Sequence, residues 1–127
     1  MKQRPNIEDF ALVATDFDGT LLGENREVSQ RTRAILARLK EFDLEFVVVT
    51  GRPPRYSDSI PKQTGISATL ICANGAMAYE PSTGESTQFA TLDLQDAQNL
   101  LTELRQAHPT AGFCVEMGDD FIAERRW

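Results

Sequence analysis

Three short apolar runs follow one another in the first half of the chain, and each breaks off into small or polar residues. Residues 10–14 (FALVA) lead into Thr15-Asp16-Phe17-Asp18-Gly19-Thr20. Residues 45–50 (EFVVVT) lead into Gly51-Arg52-Pro53-Pro54, and residues 68–73 (ATLICA) into Asn74-Gly75. Runs of this length, rich in β-branched residues, suit strands that are apolar on both faces, as in a parallel sheet. Between the first two, Ser29 is placed to cap a helix. Ile35, Leu36, Leu39 and Phe42 repeat behind it at helical spacing, with Arg31, Arg33, Arg38 and Lys40 as a solvated face. A second, short helix follows residues 51–54, and Pro61 is expected to stop it. Strand, helix, strand, helix, strand at this spacing predicts an α/β fold with a doubly wound parallel sheet.

The character changes after Asn74-Gly75. Residues 77–79 and 88–92 flank Pro81-Ser82-Thr83-Gly84 and read as a hairpin. Asp93 can cap a helix whose apolar face is Leu94, Ala97, Leu101 and Leu104, with His108-Pro109 closing it. Residues 112–117 and 121–124 read as two antiparallel strands around a Gly118-Asp119-Asp120 turn. The expected division is therefore residues 1–76 and 77–127.

Ligands of parallel sheets bind beyond the carboxyl ends of the strands. Here those ends carry Asp16 and Asp18, then Thr50, Gly51 and Arg52, then Asn74. Asp16 and Asp18 are two apart, so both can face one cleft while Phe17 turns away. Two ionised carboxylates about 5 Å apart repel by roughly 3 kcal/mol at an effective dielectric of about 20. A bound cation is the simplest offset. The Thr50 hydroxyl and the backbone N–H groups of Gly51 and Arg52 suit a phosphate. Carboxylates for a hard cation, donors for phosphate oxygens and a carboxylate nucleophile together suggest phosphoryl transfer.

Asp16–Thr20 (DFDGT), Val47–Arg52 (VVVTGR) and Cys72–Ala76 (CANGA), in this order, resemble the haloacid-dehalogenase-like superfamily. The Asn-Gly-Ala step resembles its Cof-type, sugar-phosphatase-like branch, which inserts an α/β cap after the third core strand. The resemblance implies a partial core over residues 1–76 and the start of a cap over 77–127. It implies Asp16 as the nucleophile that forms an aspartyl-phosphate, and Asp18 as the acid and base. Mg²⁺ would sit on the Asp16 carboxylate and the Asp18 carbonyl. Thr50 and Gly51 would hold the phosphoryl group, with Arg52 beside them and Asn74 near the substrate.

The chain departs from that family in one respect. The family uses a lysine and further aspartates after the cap. The three lysines, Lys2, Lys40 and Lys62, lie elsewhere, and Gly118-Asp119-Asp120 reads as a hairpin turn. The 127 residues therefore read as the front of a longer protein, weakly active alone, with an unpaired edge on the first strand that invites self-association. The expected activity is Mg²⁺-dependent hydrolysis of a small phosphorylated metabolite, a sugar phosphate by resemblance. Its alternatives are a phosphosugar mutase and a catalytically silent fragment that binds or oligomerises. A response-regulator receiver would not place Asp-x-Asp-Gly-Thr on its first strand.

Composition narrows the partners. A net charge of −6 argues against binding nucleic acid or an anionic membrane. No apolar run approaches a membrane span, and residues 1–5 lead into no secretory signal. Cys72 and Cys114 fit no metal spacing and read as reduced core thiols of a cytoplasmic protein.

Overall fold

The computed structural model describes residues 6–125. The readings that fall on residues 1–5 and 126–127, Lys2 among them, lie outside the described residues. Strands β1 (Leu12–Asp16), β2 (Glu45–Val49) and β3 (Thr69–Cys72) pair in parallel, with Asp16 opposite Val49 and Val49 opposite Ile71. Helix α1 (Gln30–Leu36) connects the first two strands and α2 (Ser59–Thr64) the next two. The sheet then continues antiparallel through β4 (Met77–Glu80) and β5 (Glu85–Gln88), in the order β1-β2-β3-β4-β5. Helix α3 (Leu94–Ala107) and a separate hairpin, β6 (Cys114–Glu116) with β7 (Phe121–Ala123), complete the chain. This is the α/β architecture expected from the alternation of apolar runs.

The core collects on one face of the sheet. Phe46 and Val48 of β2, then Ala68, Leu70 and Cys72 on or beside β3, point into it and are buried. Leu36, Leu39 and Ile60 cover them from the helical side. Ser29 caps α1 as expected, its hydroxyl accepting from the Thr32 N–H at 3.1 Å. Asp93 does the same for α3 through the Gln95 N–H at 2.8 Å. Among the described residues, the buried hydrophobic ones all lie at or before Met77.

Four expectations are corrected. The first strand is not buried on both faces: it is the edge of the sheet, and Leu12, Ala14 and Asp16 are exposed. Ile35 and Phe42 are exposed because α1 stops at Leu36 and the chain tightens into a 3-10 turn over Leu39–Phe42, which turns only Leu39 inward. Pro61 does not stop α2 but lies in its first turn, where a missing N–H leaves no bond unmade. The helix ends instead at Gly65, whose φ of 78° is left-handed. Finally, β5 begins at Glu85 rather than at residue 88, because the turn over Pro81–Gly84 closes tightly, the Gly84 N–H reaching the Glu80 carbonyl at 2.8 Å.

Candidate active site

At the end of β1 the chain does not run straight on. Phe17–Leu21 forms one wide turn, closed by the Leu22 N–H on the Phe17 carbonyl at 3.0 Å. Gly19, at φ 81°, permits it. The turn sinks Phe17 completely into the core and leaves Asp16 and Asp18 exposed, as their spacing implied. A small flap follows, pinned by an antiparallel bridge between Leu22 and Val28.

The two acids have different surroundings. Among the described residues, no hydrogen-bond donor reaches the Asp16 carboxylate. The Asp18 carboxylate is held by Arg52, whose Nε donates at 2.9 Å and whose Nη2 donates at 2.6 Å. The Arg52 guanidinium also lies 5.1 Å from the centre of the Phe17 ring. The charge on Asp18 is therefore offset by the Arg52 guanidinium, where the sequence points to a cation and to a backbone role for Arg52. Asp18 and Arg52 are 34 positions apart, and no local pattern links them.

The loop after β2 supplies the donors. Thr50 is 2% exposed, and its hydroxyl accepts the Arg52 N–H at 3.1 Å. The Arg52 N–H is thus occupied, while the Gly51 N–H has no acceptor among the described residues. Gly51 allows a close approach: a Cβ there would lie 3.0 Å from the Asn74 Oδ1, so that side chain would have to give way. Asn74 belongs to a run of three left-handed residues, Ala73 (φ 50°), Asn74 (φ 56°) and Gly75 (φ 97°). For the two non-glycine residues this conformation costs about 1–2 kcal/mol each. Two bonds to the neighbouring loop hold it, Ala73 N–H to the Arg52 carbonyl at 3.0 Å and Asn74 N–H to the Thr50 carbonyl at 3.3 Å. All six residues singled out from the sequence thus meet at one end of the parallel strands.

The exposed carboxylate of Asp16 suits a hard cation such as Mg²⁺, which keeps several waters and takes few protein carboxylates. Asp16 could hold it through its unengaged carboxylate, together with the Asp18 carbonyl, as the resemblance implies. Among the described residues no group of three or more acidic, histidine or cysteine side chains forms a complete cage. Cys72 and Cys114 are both free thiols. Cys72 is fully buried, and that burial pushes its thiol up. No helix among the described residues is long and apolar enough to cross a membrane.

The sequence model of the haloacid dehalogenase-like hydrolases matches residues 13–126, and the chain belongs to that family. It is 28% identical over 109 residues to the 5-amino-6-(5-phospho-D-ribitylamino)uracil phosphatase YitU of Bacillus subtilis, covering 86% of this chain and 40% of that protein. It is 36% identical over 93 residues to the phosphatase YwpJ of the same organism, covering 73% of this chain and 32% of the relative. An HMP-PP phosphatase of Serratia proteamaculans is 33% identical over 92 residues, covering 72% of this chain and 33% of the relative. Among solved structures, a haloacid dehalogenase-like hydrolase from B. subtilis superposes with a TM-score of 0.68 at 31% identity, over 83% of this chain and 35% of that one. A phosphatase of the same superfamily from Bacteroides thetaiotaomicron superposes with a TM-score of 0.75 at 21% identity, over 91% and 42%, which bears on the fold alone. The chain thus spans well under half the length of these relatives.

Proposed function

We propose that the chain carries the nucleophile and phosphate-binding half of a phosphatase acting on a small phosphorylated metabolite, a sugar phosphate in the first instance. The observation that carries this reading is the convergence at the strand ends. An unengaged carboxylate on Asp16, a free N–H on Gly51, a buried hydroxyl on Thr50 and a second carboxylate on Asp18 stand on adjoining loops. In the reaction, an Asp16 oxygen attacks phosphorus and the bond to the leaving oxygen breaks. Asp18, entering protonated and released from Arg52, gives that oxygen a proton, and Arg52 then holds the carboxylate that forms. Water then attacks the aspartyl-phosphate, Asp18 takes its proton back, and phosphate leaves with Asp16 restored. The Gly51 N–H and the Thr50 hydroxyl hold the phosphoryl oxygens, and Arg52 orients Asp18. Bound Mg²⁺ would supply positive charge to those oxygens. Residues 77–127 read as the beginning of the part that selects substrate, and the protein as cytoplasmic.

The test is an acid quench during turnover of a radiolabelled phosphomonoester by the full chain. Label is expected on the peptide containing Asp16, labile to hydroxylamine. Turnover with no label on protein would mean that water attacks the phosphoester directly, and the reading would fail.

The open edge of β1 supports a second, compatible role, association between copies of the chain. A row of unpaired N–H and C=O groups beside exposed Leu12, which is 49% accessible, is a template for another strand. Light scattering is expected to find a species larger than a monomer, and Leu12→Lys to return it to monomer. A wild-type monomer at all concentrations would remove this role.

A further inference from the structure

Hairpin β6–β7 pairs with no strand of the main sheet. Between it, α3 and the start of β4 lies a cleft of about 660 Å³, with Met77, Leu94, Leu101, Phe113 and Met117 among its walls. A joint with that much open space lacks the close packing that makes apolar contacts strong. Beside the cleft, at its Glu116–Gly118 wall, the hairpin is met by Arg55, from the short turn Pro54–Tyr56 that follows the Thr50–Arg52 loop. Its Nη1 and Nη2 donate to the two Glu116 carboxylate oxygens at 2.5 Å and 2.7 Å, and Nη1 also reaches the Gly118 carbonyl at 2.9 Å. The guanidinium lies 4.7 Å from the centre of the Tyr56 ring and 5.1 Å from that of Phe121. Its side chain is only 20% exposed.

The hairpin tip is shaped for this seat. The Glu116 Oε1 that meets Arg55 also accepts the Gly118 N–H at 2.9 Å. Gly118 is buried at φ 89°, and a Cβ there would come within 3.3 Å of the Met77 methyl. The Arg55 fork therefore ties together the carboxylate, the turn carbonyl and one ring of the hairpin. A planar guanidinium does this and an ammonium does not, because two parallel donors and a stacking face are both used.

We propose that Arg55 is a clasp that keeps hairpin β6–β7 seated on the sheet, with Glu116 as the point of release, so that the cleft opens when this pair parts. The role does not depend on the phosphatase reading. It is tested on the full chain, labelled at the methionine methyls, in Glu116→Gln and Arg55→Lys. Both variants are expected to lose the nuclear Overhauser contact between the Met77 methyl and Gly118. Hairpin amides should exchange about tenfold or more faster in both, the scale of a lost charge-assisted hydrogen bond, while exchange in β2 stays unchanged. An intact Met77–Gly118 contact with unchanged hairpin exchange would overturn the clasp. Equal acceleration in β2 and the hairpin would overturn it too, because Arg55 would then support the whole fold rather than one joint.

Discussion

Replacing Asp16 by Asn is expected to abolish phosphomonoester hydrolysis in the full chain, with kcat falling about 10⁴-fold or more, the usual scale for loss of a nucleophile. The change is nearly isosteric, and Asp16 holds nothing in place: it is exposed, and among the described residues its carboxylate accepts no hydrogen bond. A loss of activity without a loss of folding would therefore be chemical. The same variant should bind Mg²⁺ far more weakly in a calorimetric titration, because the carboxylate assigned to the cation becomes a neutral amide. Asp18→Asn separates the two roles. Its backbone carbonyl remains, so metal affinity should persist while kcat falls about 10²–10⁴-fold, the range of general acid–base catalysis. Equal Mg²⁺ affinity in wild type and Asp16→Asn would sink the metal assignment. A fully active Asp18→Asn would remove Asp18 as acid and base.

Thr50→Val should lower kcat/KM by about 30- to 1000-fold, the equivalent of about 2–4 kcal/mol for one preorganised donor to a transition state. Here the geometry adds a complication with a clean control. The Thr50 hydroxyl also accepts the Arg52 N–H, and the Arg52 side chain holds Asp18. On the proposed reading, valine would thus remove a donor to phosphate and loosen the loop whose arginine holds Asp18. Thr50→Ser keeps the hydroxyl for both purposes and should retain most of the activity. Steady-state kinetics of the two variants, beside their melting temperatures, separates chemistry from packing. Unchanged kinetics in the valine variant would place the phosphoryl group elsewhere.

Much of this arrangement was legible in the sequence for a definite reason. Strand ends, caps and tight turns are local: Ser29, Asp93 and Asp16-Phe17-Asp18-Gly19 act within a few residues of themselves. Burial is not local. The apolar run at residues 10–14 reads as a strand buried on both faces, yet Leu12 and Ala14 share a face that is exposed, because burial depends on what packs over a face and not on the run itself. The Pro61 misreading has a similar origin, since proline ends or begins a helix depending on where the preceding turn places its first residue. Arg52 and Arg55 show a further limit. Both are arginines in one short loop, and sequence singled out only Arg52, for its backbone. Their partners, Asp18 and Glu116, are 34 and 61 positions away. Such long-range pairings carry no periodic or spacing signal.

The open side of β1 has a chemical meaning as well as an architectural one. Neighbouring strands run about 4.8 Å apart. Any strand laid alongside Leu12–Asp16, in parallel and in register, would end beside Asp16 on the side away from Thr50. Whatever residues follow that strand would arrive beside Asp16 from a side on which the described residues present no donor. On the proposed reading the bare edge would serve as a delivery port: the identity of the strand that fills it would decide which charges complete the surroundings of Asp16.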